Sequence, residues 1–277
     1  KKGTYDVIVM DTAPTGETIK LLSFPESSEW YSDKLYRIIH NLIKVARMTI
    51  GKVMSTPLPS EELLKGLEML IGRMKNVQKI LEDPEITSIR LVVNPEKMVI
   101  NETKRAYTYL CLYGLTVECL VINRLLPDGN DDYFAQKRIE QEKYMKIIQE
   151  SFDPLKMLKA QQLPVELVGM KSLEYLGDML FQDEDPTSRF TTERPIEIYS
   201  ENGKDIIALR LPFMPKEKVQ LYKSSDSLVV EAGQYRRSMS LPFTFIQKEP
   251  EKAEFTDGML RIMFPGDDVS GEQKPAE

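Results

Sequence analysis

A single histidine, His40, and two cysteines, Cys111 and Cys119, leave this 277-residue sequence little material for soft-metal or nucleophilic chemistry. Histidine-based triads and multi-histidine metal centres within one chain are excluded. So are a disulfide framework and a four-thiolate site. Both cysteines fall in segments patterned for burial, and a reducing cytoplasm is the simplest compartment. No uninterrupted apolar run approaches the length needed to cross a bilayer, and no signal peptide precedes the first apolar run, so a soluble chain is expected. Positive charge is not in excess: 37 Lys and Arg stand against 43 Asp and Glu, for a net charge of −6 and a pI near 5.2. That balance argues against a general nucleic-acid or anionic-membrane binder. His40 lies among Ile38, Ile39, Leu42 and Ile43 and reads as a helix-surface residue.

What is present is an alternation of short apolar runs with helical periods. Val7 to Met10 has the composition of a fully buried parallel strand, with Asp11 at its carboxyl end. From Trp30 to Val53 apolar residues recur at three- and four-residue spacing; Pro57 and Pro59 interrupt, Ser60 can cap, and the period resumes from Leu63 to Leu81. A helical hairpin over about 30–82 is expected. Strands follow at Ser88–Val93, Thr116–Ile122 and near Leu158–Leu163, with helices over Asn101–Tyr113, Ala135–Ser151 and Lys171–Phe181 between and after them. Gly114 is the expected stop of the first of these helices. This order predicts an α/β fold with a mostly parallel sheet over residues 1–181.

Residues 182–190 include QDEDPTSR, acidic and proline-bearing, and are the expected linker. Beyond them the apolar period drops to two: Ile196 and Ile198, Ile207 to Leu211, Leu228 and Val230, then Leu260 to Phe264. Short strands of half-buried character in close succession predict an antiparallel β-sandwich over 191–266. The polar stretch 267–277 is expected to be disordered.

Two positions suggest chemistry. An Asp at the carboxyl end of a parallel strand lies where α/β sheets bind ligands, and it can hold the water shell of Mg²⁺. The loop from Thr12 to Gly16, including Pro14, offers backbone N–H groups to a terminal phosphate. On Asp11 alone an ordinary strand and turn would be the simpler reading. Asn123 ends a neighbouring strand, where a carboxamide can pair with both the donor and the acceptor of an adenine edge. A lone Asn there is more often a cap.

The whole string DTAPTGETIKLL, Asp11 to Leu22, closely resembles the DTAPTGHT-type segment of the arsenical pump-driving ATPases, ArsA-type anion-transporting ATPases, and of their relatives that target tail-anchored membrane proteins. VINRLLP, Val121 to Pro127, resembles the segment whose Asn recognises adenine; QLPVELVG, Gln162 to Gly169, resembles the later loop lining the base. The resemblance implies ATP and Mg²⁺ as cofactors. Asp11 would hold the metal through water, Thr12, Pro14 and Gly16 would form the switch loop, and Asn123 with Leu163, Pro164 and Val165 would form the adenine pocket. It also implies a membrane transporter or a hydrophobic client as partner, and a homodimer. Glu17 departs from the family, which usually has His there, so its switch behaviour does not carry over directly. The eukaryotic branch's CxxC zinc clasp is absent, Asp131 to Phe134 standing roughly in its place, and zinc-clasped dimerisation is not implied.

No GxxxxGK[ST] loop occurs in the chain. In the resembled family this loop, its Lys and the Asp that activates water precede the segment at Asp11. The chain alone is therefore expected not to hydrolyse ATP, and a preceding P-loop segment or a complementary chain is an implied partner. The other reading is a non-enzymatic chaperone-like or targeting module that has lost the P-loop. The hairpin methionines Met48, Met54, Met69 and Met74 occupy the place of the targeting branch's client groove, although an amphipathic hairpin also reads as a helical cover on its own sheet. The C-terminal strands have their own resemblance, to the α-crystallin domain of small heat-shock proteins, carried by AEFTDGMLRIMFP from Ala253 to Pro265 and by the strand pattern from Ile206 to Gly233. The tail lacks the IxI-type anchor of that family, and a scaffold or docking domain is expected rather than independent chaperone activity.

Overall fold

The computed structural model describes residues 5–12, 61–129, 132–224 and 226–266. Helix α1 (Glu61–Glu82) is followed by β1 (Ile89–Val93), α2 (Lys97–Leu112), β2 (Val117–Leu125), α3 (Asp132–Phe152), β3 (Lys156–Gln161) and α4 (Met170–Phe181). The strands form a parallel sheet in the order β1-β2-β3. As the central strand, β2 is buried from Val117 to Leu120, which explains its lack of polar alternation.

The expected strand at Val7–Met10 is not formed. Residues 5–12 have no ladder partner and are exposed, Val9 at 88%. An all-apolar strand is stable only where neighbours satisfy its backbone and cover both faces, and none of the three parallel strands pairs with it. Pro14, Gly16, Glu17, His40 and the first helix of the expected hairpin lie outside the described residues. Helix α2 begins at Lys97 rather than Asn101. Glu96 leaves the helix in extended geometry just after Pro95, and burial of Ile100 draws the earlier turn into the core. The third expected strand runs on to Leu125, and the fourth is shifted to Lys156–Gln161.

The remaining strands are β4 (Ile196–Glu201), β5 (Lys204–Arg210), β6 (Val219–Ser224), β7 (Ser227–Ala232), β8 (Tyr235–Ser240), β9 (Lys252–Thr256) and β10 (Met259–Pro265), with a short helix α5 (Phe243–Ile246) after β8. They form two antiparallel sheets, β4-β5-β10-β9 and β6-β7-β8. Leu209, Ile262 and Phe264 from one meet Leu228, Val230 and Ala232 from the other in a common core. Gly258, at φ 72°, turns β9 into β10; a Cβ there would lie 3.1 Å from the backbone of Pro212.

The sandwich does not hang free of the α/β unit. Helix α2 serves both: Leu110 and Cys111 pack toward the parallel sheet, while Leu112 belongs to the sandwich core. Its second half, Tyr107 to Leu112, is buried on every side. A helix packed between two cores is expected to be largely apolar all round, and YTYLCL reads that way, its one hydroxyl-bearing aliphatic residue, Thr108, donating back to Lys104 O at 3.0 Å. Its end is a Schellman motif: Leu115 N donates to Leu110 O (2.9 Å), Gly114 N to Cys111 O (3.0 Å), and Gly114 takes φ 75°. The Leu112 carbonyl left over accepts the Arg237 guanidinium at 2.7 Å from β8.

Two charge networks reinforce the junction. Arg237, 6% exposed, also pairs with Glu82 at the end of α1 (2.8 Å), while Arg194 and Arg189 face Asp83 and Glu85 at 3.6 and 3.3 Å. Glu118 of β2, 1% exposed, accepts from Arg90 Nε (2.5 Å) and from Phe190 N (3.1 Å). Arg90 donates onward to the carbonyls of Pro186 and Ser188. Residues 186–190 are thus anchored on the sheet.

Candidate nucleotide site at the carboxyl edge of the sheet

Every parallel strand delivers its last residue to the same edge, and the loops there are where a ligand would sit. The decisive local feature is at the end of β2. Pairing with β3 passes from Ile122↔Lys159 to Leu125↔Gln161, so Asn123 and Arg124 form a bulge, with Arg124 at φ 56°. The bulge lifts Asn123 out of the regular ladder and leaves it half-buried. Its Oδ1 accepts the Arg124 N–H at 2.9 Å, which fixes the carboxamide. The second lone pair of that oxygen and the NH₂ group remain the donor–acceptor pair an adenine edge requires.

The neighbouring loop is bound to the same edge. Gln162 N donates to Leu125 O at 2.7 Å, so the chain leaving β3 starts beside the Asn123 bulge. Leu163 is half-buried, Pro164 and Val165 are exposed, and Gly169 at φ 84° turns the loop into α4. On the other side, Leu126 N is held by Gln141 Oε1 of α3 at 2.8 Å. A carboxamide beside a small apolar loop suits a flat heteroaromatic base. These residues fit the adenine part of ATP; of the phosphate contacts expected from sequence, only Asp11 and Thr12 are described, both exposed and in no strand. Asn123 and Leu163 to Val165 are brought to one edge, and Asp11 is not tied to it by a ladder.

Among the described residues no group of three or more His, Cys, Asp or Glu could hold a metal ion. The cysteines are core residues. Burial pushes the Cys111 thiol up to about 12, with Arg210 acting weakly the other way, and burial pushes Cys119 up to about 11. Neither offers a thiolate near neutral pH. Among the described residues no helix is long and apolar enough to cross a membrane.

Residues 1–182 match the family model described as anion-transporting ATPase, and residues 202–264 match an HSP20-like domain found in ArsA. The chain belongs to the anion-transporting ATPase family. It is 38% identical over 259 residues to the putative arsenical pump-driving ATPase 1 of Aquifex aeolicus, an alignment that covers 92% of this chain and 65% of that protein. With the putative arsenical pump-driving ATPase of Chlorobaculum tepidum it shares 33% identity over 95% of the chain and 66% of the relative. The ATPase GET3C of Arabidopsis thaliana is 30% identical over 182 residues, 63% of this chain and 46% of that protein. The chain thus spans about two thirds of the length of the first two relatives.

Sequence reasoning missed the bulge, because an apolar central strand gives no alternation to break. It also missed the Glu118–Arg90 and Arg237–Glu82 networks. The signal for the first was a charged residue in each of two buried strand runs, VECLVI and IRLVV.

Proposed function

We propose that this chain contributes the base-binding and Mg²⁺-positioning part of an ATP-hydrolysing motor that couples nucleotide turnover to a membrane transporter or to a hydrophobic client. The reading rests on one observation: the β2 bulge presents Asn123 beside the loop 162–165 at the carboxyl edge of a parallel sheet. Asn123 and Leu163, Pro164 and Val165 would hold adenine. Asp11 would hold Mg²⁺ through water, and Thr12, Pro14 and Gly16 would sense the terminal phosphate. The Gly-rich phosphate cradle would come from a preceding segment or a complementary chain, so this chain alone would bind Mg-ATP weakly and not hydrolyse it. Residues 1–181 form the ATPase part in this reading, 182–190 the connection and 191–266 the docking sandwich; 267–277 lie outside the described residues. A cytoplasmic homodimer is its simplest assembly.

The test compares binding of ATP and GTP to the chain supplemented with its P-loop part. A carboxamide matched to adenine should favour ATP by at least tenfold, and Asn123→Ala should abolish most of that preference. Equal binding of both nucleotides by the unmodified protein, or an unchanged preference in the variant, would sink the reading. Tight Mg-ATP binding by the chain alone would instead overturn the claim that its phosphate site is incomplete.

One observation favours a second reading, a module that holds apolar segments without turnover. Helix α1 leaves Met69, Leu70, Val77 and Ile80 about half exposed, while Leu81 in its last turn packs against the core.

A further inference from the structure

A groove of about 820 Å³ lies between α2 and the sandwich, and its lining shares no residue with Asn123 or the 162–165 loop. Lys104 and Arg105 form one wall, on successive positions of α2. Lys218 faces them from the 3₁₀ turn (Lys216–Lys218) before β6, and the carboxamides of Gln220 and Gln234 complete that side. Glu217 is the one carboxylate in the lining.

Three cations gathered in one concavity of a chain with net charge −6 require an explanation. Among the described residues Arg105 is ion-paired with Glu102, one helical turn away at 3.5 Å and exposed. Among the described residues no ion pair involves Lys104 or Lys218; Lys104 lies instead over the Phe213 ring. Among the described residues, then, no carboxylate neutralises these two ammonium groups.

The floor points to what that is. Phe213 sits at φ 62°, a region that an L-residue with a bulky side chain occupies only when its surroundings hold it there. Contacts with Phe152 and Tyr107, at ring-centroid distances of 5.4 and 6.2 Å, supply the hold. The ring is nevertheless left 39% exposed toward the groove, with Lys104 Nζ 5.2 Å from its centroid. Cation and aromatic face are presented together.

We propose that this groove binds a small organic anion with a flat aromatic body, of the aryl phosphate class, its ring on Phe213 and its anion between Lys104 and Lys218. The groove is large enough for such a ligand, and junctions between domains are where such sites occur. An acidic peptide would match the charge but would leave the exposed ring unused. Because Lys104 belongs to α2 and Lys218 to the sandwich, a bound anion would bridge the two units.

The test is calorimetric titration of the chain with 1-naphthyl phosphate, set beside inorganic phosphate, 1-naphthalenemethanol and a poly-glutamate peptide. Saturable one-to-one binding at least tenfold tighter than to any comparator is expected. Lys104→Met with Lys218→Met should weaken it tenfold or more without lowering the melting temperature, and excess ATP should not displace the ligand. The proposal is overturned by the absence of saturable binding, by insensitivity to the double substitution, or by equal affinity for inorganic phosphate. Tighter binding of the peptide, or displacement by ATP, overturns it equally, the first assigning a protein-docking surface and the second the nucleotide site.

Discussion

The Arg237–Glu82 pair gives the sharpest test of how the two halves are joined. Arg237 reaches from β8 into a nearly dry site, donates to the Leu112 carbonyl at 2.7 Å and pairs with Glu82 at 2.8 Å. Removing one partner of a fully buried pair costs about 3–5 kcal/mol, because the other is left charged and dry. Glu82 keeps 30% of its side-chain surface in water and also accepts from Gln78. Its orphaned carboxylate would therefore be partly rehydrated, and about 2–3 kcal/mol is the better expectation for Arg237→Met. Glu82→Gln keeps an acceptor but leaves the nearly dry guanidinium without its counter-charge, at about 1–3 kcal/mol. The double variant should be less destabilised than the sum, with a coupling of about 1–2 kcal/mol. Thermal unfolding followed by calorimetry reads this as a fall of roughly 2–4 °C per kcal/mol in a chain of this size. Arg237→Met should also separate one melting transition into two, as the sandwich loses its hold on α1 and α2. Coupling below about 0.5 kcal/mol, typical of an exposed pair, together with unchanged cooperativity would refute the reasoning.

Two further expectations concern titration. The Asp205 carboxyl is held below the usual range by the Lys248 ammonium at 2.6 Å, and next by the Ser200 hydroxyl. A depressed carboxyl stabilises the fold above its unfolded value near 4 and loses that contribution as pH falls through the lower folded value. Melting temperature measured from pH 6 to pH 2 should decline in that window, and Lys248→Met should flatten the decline; an identical profile in the variant would refute the assignment. Cys111 and Cys119, pushed up to about 12 and about 11 by burial, should resist a thiol reagent at pH 8 in the folded chain and react promptly in urea. Stability should fall above about pH 8.5, where the thiols of the unfolded chain ionise first. Rapid labelling of either cysteine under native conditions would show that its burial is not persistent.

Much of this architecture could be read from residue periods alone. The strand at Ile89–Val93 and the helix at Met170–Phe181 follow from composition and spacing within a residue or two. Gly114 was legible as a helix stop because only a residue free to take φ 75° can close a Schellman motif there. Features set by distant partners were not legible. Val7 to Met10 has the chemistry of a buried strand, but a strand exists only with a neighbour to pair it, and sequence does not say whether one is at hand. Asn123 was found by its place after an apolar run; the bulge that exposes it comes from a register change against β3 and leaves no local trace. Glu118 offered a clue that periodicity ignores, since a carboxylate in the middle of a buried strand demands a cationic partner.

The same distinction explains why the boundary between the halves reads more cleanly in sequence than in structure. Composition changes at residues 182–190, because an acidic, proline-bearing stretch cannot form a core of its own. Its backbone nevertheless supplies three of the polar contacts around Arg90 and Glu118: the carbonyls of Pro186 and Ser188 and the N–H of Phe190. These contacts satisfy a buried carboxylate and a guanidinium that would otherwise be costly in the sheet. Loosening the segment would therefore expose more than a tether. It would leave Glu118, 1% exposed in the central strand, with one partner fewer and Arg90 with two acceptors lost. The stability of the parallel sheet and the docking of the sandwich are consequently linked through β2, the strand that also carries Asn123.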